Sequence, residues 1–259
     1  MLAKNTNGHI EGLSKRYRHI NTIDVHNVLK DHGFVEKGYR QSRVIKPERE
    51  GFQKHFSIFH RPEMNDGDHG NFNVLLFNGH DGTSALRLEL GYFRFICENQ
   101  LVNAQLGFKV SHTGDVLERL NERIPMLIKG YENFRSLKEQ LENISLKKNQ
   151  IDEMIEEAIR IRQLDAMHVE DKNLKEQILL YNRRAINHAR RKEDIGDNGW
   201  ATLNRIQENV IKGTKWDVMN QSENESVIFR KLRAVTNMDR VIRYNKQLTE
   251  KMVSIIGAA

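Results

Sequence analysis

The sequence predicts an α+β protein, with a small antiparallel β-meander and flanking helices in the N-terminal half and a mostly helical C-terminal half. Between residues 34 and 90, short aromatic and aliphatic runs alternate with turn residues, which is typical of a meander. After residue 113, apolar residues recur three and four positions apart, which is typical of amphipathic helices. We therefore divide the chain into a polar basic arm (1–20), an α+β core (21–112) and a helical region packing on that core (113–259).

The elements of the core follow from local signals. Thr22 is a candidate N-cap and Gly33 a candidate stop, which predicts a helix over about 23–32. Strands are predicted over 34–44, over 52–61 with Pro62 as its end, over 72–77, and over 85–90 with a break at Gly91. A second helix, over 93–105, is predicted to cover the sheet.

The helical region divides at its polar interruptions. Helices are predicted over 117–144, 151–164, 174–188 and 200–212, followed by one long final helix, or two helices, over 230–256. The segments 191–199 and 213–225 are predicted to be exposed loops.

Composition excludes several classes of protein. The 259 residues contain no apolar run of the roughly 20 residues that a membrane span needs, and no signal-peptide pattern. A single cysteine, Cys97, excludes an internal disulfide framework and a cysteine zinc cage. We expect a soluble protein located in the cytoplasm.

The net charge of +6 is concentrated at the two ends of the chain. Residues 1–62 contain 12 basic and 6 acidic residues, and residues 181–259 contain 15 and 9. The intervening residues carry a net negative charge. Clustered basic surface attracts polyanions, and nucleic acid is the usual one.

The polar run 78–84 is the candidate for catalytic chemistry. A histidine beside an aspartate can ligate a metal, and adjacent hydroxyls can act as nucleophiles, so His80, Asp81, Thr83 and Ser84 form a possible functional turn. The alternative is a polar hairpin turn in which Asp81 caps local N–H groups, and the composition favours it. The sequence contains no complete catalytic set and no cofactor or metal motif, which favours a protein that is not an enzyme.

Several basic segments favour nucleic-acid binding. The segment 39–43 places an aromatic residue beside two arginines on a predicted strand. The segment 183–192 places five cations on about two turns of helix. Further cations recur along the predicted final helix, where their spacing places many of them on one face. Few acids accompany these runs, so phosphate contacts with base stacking on Tyr39 or Phe56 would hold a single strand. The candidate nucleic-acid-binding residues are Tyr39, Arg40, Arg43, Lys54, Arg183, Arg184, Arg190, Arg191, Lys192, Arg240, Arg243 and Lys246.

Several sequence blocks also resemble a known family. The runs 78–85 (NGHDGTSA), 91–100 (GYFRFICENQ), 111–115 (SHTGD), 200–208 (WATLNRIQE) and 233–240 (RAVTNMDR) resemble the phage and plasmid family called domain of unknown function 932. The resemblance spans residues 20 to 250 and implies a mobile-element origin and the cytoplasm of a bacterial host.

The predicted layout, a helix, a meander and a covering helix with basic helical extensions, is similar to that of phage single-strand annealing recombinases. That similarity implies oligomeric rings or filaments that hold single-stranded DNA without a cofactor. The leading hypothesis is therefore a non-enzymatic DNA-binding protein that anneals single strands in recombination or replication. Two alternatives stay open: an interaction protein that inhibits a host defence system, and a metal-dependent hydrolase using His80 and Asp81.

Overall fold

The computed structural model describes residues 2–44, 46–65, 70–94, 100–102, 107–222 and 225–257. It divides into two compact units, residues 1–134 and 135–259. The α+β prediction is confirmed, with an antiparallel sheet in the N-terminal half and helices mostly in the C-terminal half.

The first unit is built on an antiparallel sheet in the order β1-β2-β3-β4-β5, with β6 also paired to β4. Its helices are α1 (Thr22–Asp31) and the first part of α2 (Val116–Asn143). Its strands are β1 (Val35–Gln41), β2 (His55–Asn65), β3 (Gly70–Asn78), β4 (Leu86–Arg94), β5 (Gln100–Val102) and β6 (Phe108–Val110).

One face of this sheet is the core of the first unit. Alternate residues of β3 and β4 pair directly across the strands, so the buried Val74 and Leu90, and Leu76 and Leu88, share that face. On α1, the imidazole of His26 contacts the ring of Phe59 edge-on, at 4.9 Å between ring centroids. Burial of these side chains is the main stabilising contribution to the unit.

Three local predictions about this unit are wrong. The strand β2 continues through Pro62, which is tolerated because the pairing with β1 ends at His60 and the register with β3 is interrupted between His60 and Asn65. Likewise, β4 runs past Gly91 to Arg94. A β-strand at Gln100–Val102 lies inside the segment predicted to be a covering helix, whereas Cys97 and other parts of that segment lie outside the described residues.

The N-terminal helix begins differently from the prediction as well. Asn21 is the N-cap residue and makes no side-chain cap hydrogen bond. Thr22 instead lies within α1 and is buried, and its hydroxyl takes part in a polar cluster described below. The basic arm crosses the same unit: the Thr6 hydroxyl donates to the carbonyl of Gly51 at 2.7 Å, and the Ile10 N–H donates to the carbonyl of His80 at 3.1 Å.

The second unit contains helices and one hairpin. The helices are α3 (Lys148–Ile161), α4 (Lys172–Ile186), α5 (Gly199–Lys212) and α6 (Met238–Gly257), and the hairpin strands are β7 (Asp217–Gln221) and β8 (Val227–Lys231). Helix α5 is central, since all of its residues from Gly199 to Val210 are buried. No helix in the described ranges has both the length and the apolar character needed to cross a bilayer.

The β7–β8 hairpin is the element of this unit that the sequence pattern missed. The segment 213–225 was predicted to be a loop and contains β7, and the predicted final helix over 230–256 begins only at Met238. Arg230 and Lys231 belong to β8 and therefore do not share a helix face with Arg240 and Arg243.

Candidate functional site

A cluster of buried histidines lies on the helix-covered face of the first unit. The start of β2 provides His55, the end of β3 provides Asn78, and the following turn provides His80. The Thr22 hydroxyl lies 2.8 Å from His55 Nε2 and 3.4 Å from His80 Nε2, and the Asn78 amide donates to it at 2.9 Å. The rings of His19 and His80 are 4.6 Å apart, so the cluster joins the arm, α1 and two strands.

Burial keeps three histidines of this unit neutral. Desolvation, together with the positive charges of His55, His19 and His112, lowers the pKa of His80 to about 3. Desolvation also lowers the pKa of His26 to about 4, although the carboxylate of Glu36 opposes that shift. The pKa of His55 is lowered by burial too. At neutral pH the side chains of His26, His55 and His80 are therefore uncharged.

We expect the folded protein to lose stability as the pH falls below about 6.5. The unfolded chain binds protons on His80 at its ordinary pKa of 6.5, whereas the folded protein does so only near 3, so acid favours unfolding. The contribution is about 1.4 kcal/mol per pH unit for each such histidine, and it vanishes above the unfolded pKa. Urea unfolding between pH 4 and 8, at about half-unit steps, measures this dependence.

His80→Gln should reduce the slope of the free energy of unfolding against pH, below pH 6.5, by up to the contribution of one proton, about 1.4 kcal/mol per pH unit. This effect is separate from any change in stability at pH 8. The control is His168→Gln, which makes the same change at an exposed histidine outside the cluster. If the free energy of unfolding falls equally steeply with acid in the wild type and in His80→Gln, the lowered pKa of His80 is contradicted.

The turn after β3 has the geometry of a capped polar turn. One carboxylate oxygen of Asp81 accepts hydrogen bonds from the Thr83 N–H at 3.0 Å and from the Thr83 hydroxyl at 2.8 Å. Gly82 has a φ of 72°, in the left-handed region that favours glycine. Asp81 thus bonds within the turn, whereas His80 bonds to Thr22, so the structure does not join the two as an acid–base pair.

Ser84 lies at the end of this turn and lines an open pocket of about 430 Å³ with Thr83 and His112. The histidines and acids of the described ranges include no group of three or more placed to hold a metal ion.

The opposite face of the sheet carries an ordered row of cations and aromatic rings. Residues that pair directly across strands point to the same side of a sheet. The pairs Arg40–Phe56, Phe56–Phe77, Phe77–Arg87 and Arg87–Lys109 therefore form one continuous row across five strands. We call Arg40, Phe56, Phe77, Arg87 and Lys109 the cation–aromatic row.

The centre of the row is a pair of neighbouring aromatic rings that are tilted relative to each other. The rings of Phe56 and Phe77 are 5.5 Å apart between centroids, and both are half-buried. The guanidinium carbon of Arg87 lies 4.5 Å from the centroid of Phe77, and Arg87 Nε lies 3.5 Å from a carboxylate oxygen of Glu89. The two ends of the row, Arg40 and Lys109, are exposed.

The row changes how the predicted segment 39–43 is interpreted. Strand alternation places Tyr39 on the face opposite Arg40, where its ring lies 5.8 Å from that of His55 and its hydroxyl donates to Gln41 at 2.8 Å. Arg43 lies beyond β1 and lines a pocket of about 540 Å³.

The exposed Lys54 lies beside this segment, since its carbonyl accepts from the N–H of Ser42 at 2.8 Å. Arg40, Arg43 and Lys54 are therefore brought to one end of the sheet. Phe56 lies on the same face as Arg40, and Tyr39 does not.

The predicted cluster from Arg183 to Lys192 is not a helical row. Helix α4 ends at Ile186, so Arg190, Arg191 and Lys192 lie outside it. Several of these arginines bond within the unit: Arg183 to Asp152 at 2.7 Å, Arg190 to Asn209 at 3.0 Å and Arg191 to Glu208 at 3.0 Å. Arg184 and Lys192 are exposed. The carboxylates of Asp152 and Glu208 come from distant parts of the sequence, so the local run of residues contains no sign of these ion pairs.

The last three predicted residues lie on α6. Arg240 and Arg243 line a pocket of about 420 Å³ in the second unit, and Lys246 Nζ lies 3.9 Å from Glu250. Of the two further arginines of this pocket, Arg233 belongs to the cations predicted along the final helix, whereas Arg162 was not predicted. Nothing in the sequence links residue 162 to residue 233. They meet in the folded unit, where the Arg162 guanidinium donates to the carbonyl of Arg233 and to that of Val210 in α5.

The fold and the sites define an α+β protein whose sheet carries a buried histidine cluster on one face and a cation–aromatic row on the other. The chain belongs to the family described as "Domain of unknown function (DUF932)", whose model matches residues 9–249. It is 30% identical over 207 residues to UPF0380 protein YfjQ of Escherichia coli strain K12, covering 78% of this chain and 71% of that protein.

It is also 28% identical over 205 residues to UPF0380 protein YafZ of the same strain, with the same two shares covered. No solved structure matches the chain significantly.

Proposed function

We propose that this protein binds single-stranded DNA without catalysing a reaction, and that it aids strand annealing during recombination or replication of a mobile element in the bacterial cytoplasm. The observation that carries the proposal is the cation–aromatic row. Exposed cations at the ends of the row suit phosphates, and the half-buried rings between them suit bases.

The geometry favours a single strand over a duplex. A base can stack on an aromatic ring only when its face is accessible, and the bases of a duplex are already stacked on each other. The spacing between neighbouring strands of a sheet is about 4.8 Å, so the whole row is about 19 Å long, which accommodates a few nucleotides. Affinity from such a surface is independent of sequence, as annealing requires.

Annealing also requires that a strand be presented with its bases accessible to a second strand. We propose that several copies of the chain align their rows along one DNA strand. The oligomer is part of the proposal and is tested by the mass of the protein in solution, alone and with an oligonucleotide.

Phe56→Ala should weaken binding of a labelled single-stranded oligonucleotide by about five- to a hundredfold, because one base–ring stack is lost. Arg40→Gln should reduce the slope of log affinity against log salt by about 0.7, the contribution of one phosphate contact on a single strand. Fluorescence anisotropy over a series of salt concentrations measures both effects.

Two control variants lie away from the row. Phe229→Ala removes an exposed ring in the second unit, and Lys129→Gln removes an exposed cation on α2. Both control variants should bind the oligonucleotide like the wild type. Complementary labelled strands should anneal at the wild-type rate in the presence of either control variant, and more slowly in the presence of Phe56→Ala. Wild-type affinity of Phe56→Ala, or a salt slope near zero, would exclude this surface.

A further inference from the structure

The second unit contains a partly open pocket whose charged lining is entirely basic. It lies among the end of α3, the segment before α6 and the first turns of α6, with a volume of about 420 Å³. No acidic residue is among its lining residues. We call it the arginine pocket, and its charged residues are Arg162, Arg233, Arg240 and Arg243.

One wall of the pocket is held in place by Arg162. This residue follows the last turn of α3, and its guanidinium donates to the carbonyls of Val210 at 2.6 Å and Arg233 at 2.8 Å. The Val235 N–H donates to the carbonyl of Ile211 at 2.7 Å, which ties the same segment to α5. The backbone on this side is therefore positioned before any ligand binds, which reduces the entropic cost of binding.

The other three guanidinium groups, those of Arg233, Arg240 and Arg243, are exposed, and none forms an ion pair with a residue that the structure describes. This differs from Arg183 and Arg191, which form ion pairs in the same unit. Like charges around one cavity repel one another, and a multivalent anion relieves that repulsion.

We propose that the arginine pocket binds the phosphomonoester group of a nucleotide, either free or at the end of a DNA strand. A guanidinium offers two parallel N–H donors that match phosphate oxygens, and several of them suit a dianion better than the single charge of a phosphodiester. The volume lies in the range of sites that enclose a small ligand rather than one ion. The proposal stands apart from the cation–aromatic row, which lies in the other unit.

Calorimetric titration of the full chain with a nucleoside 5′-monophosphate tests the pocket. We expect saturable binding that is tighter at pH 7 than at pH 5, since the second phosphate pKa is about 6. Arg240→Gln should weaken it about tenfold or more, and the double variant with Arg243→Gln should weaken it further. Arg135→Gln, which changes an exposed arginine of the same unit outside the pocket, is the matched control and should bind like the wild type.

A second titration identifies the source of the phosphate. If the ligand is a strand end, a 5′-phosphorylated oligonucleotide binds more tightly than its 5′-hydroxyl counterpart; if it is a free nucleotide, the two oligonucleotides bind equally while the monophosphate still binds. Phe56→Ala separates the two proposals, because it should leave monophosphate binding unchanged. Equal monophosphate binding by the wild type and the double variant, or none by the wild type, would overturn the inference.

Discussion

Asn182→Leu is expected to destabilise the second unit by about 3 to 5 kcal/mol. Asn182 is fully buried on α4, and its side-chain amide forms hydrogen bonds with the backbone of β7, as a neighbouring strand would. Its amide donates to the carbonyls of Leu164 at 3.2 Å and Met219 at 3.0 Å, and its carbonyl accepts from the Met219 N–H at 2.8 Å. Leucine has a similar volume and can replace none of these bonds, so three buried backbone groups lose a partner.

Urea unfolding followed by circular dichroism measures the loss as a lower midpoint. The matched control is Asn173→Leu, the same change at an exposed position of the same helix, which should shift the free energy of unfolding by less than about 0.5 kcal/mol. If the two variants unfold at the same urea concentration, the bridge between α4 and β7 contributes nothing.

Phe72→Ala is expected to destabilise the first unit by about 3 to 5 kcal/mol, because it removes a buried ring and leaves a cavity. Phe72 lies on β3 with 1% of its surface exposed. Its ring meets those of Tyr92, Tyr131 and Phe134 edge-on, with centroids 4.8, 4.7 and 5.3 Å away. The substitution therefore weakens the attachment of α2 to the sheet as well as the strand itself.

Thermal unfolding by calorimetry measures the expected loss, and Phe229→Ala provides the comparison. The latter ring is 54% exposed, so the same truncation should cost less than about 1 kcal/mol. A thermal midpoint for Phe72→Ala within a degree or two of that of Phe229→Ala would mean that the aromatic group is not part of the stabilising core.

Most regular elements could be predicted from local patterns, and the exceptions share a cause. The helix predicted over 93–105 failed because an apolar run that is rich in aromatic residues suits a strand and a buried helix equally. The hairpin of β7 and β8 was missed because Arg230 and Lys231 continue the spacing of a basic helix. In each case the choice depends on a pairing partner elsewhere in the chain.

The candidate sites were predictable to different degrees. The polar turn containing Asp81 and Thr83 was anticipated from its composition, because its hydrogen bonds join residues two positions apart. Phe56 and Arg40 were each predicted from the sequence, but the row that they form with Phe77 and Lys109 was not. Such a row depends on the register of four strand pairs, and a shift of one residue would turn each side chain to the other face.

The sequence by itself determined the α+β class, the family and most of the secondary structure. These properties depend on periods of 2 and 3.6 residues and on ordered motifs, which are local. Only the tertiary structure decided which cations form ion pairs, which aromatic residue faces Arg40, and that Arg162 joins Arg240 in one pocket. Those outcomes depend on contacts between residues far apart in the chain, and composition does not encode their distances.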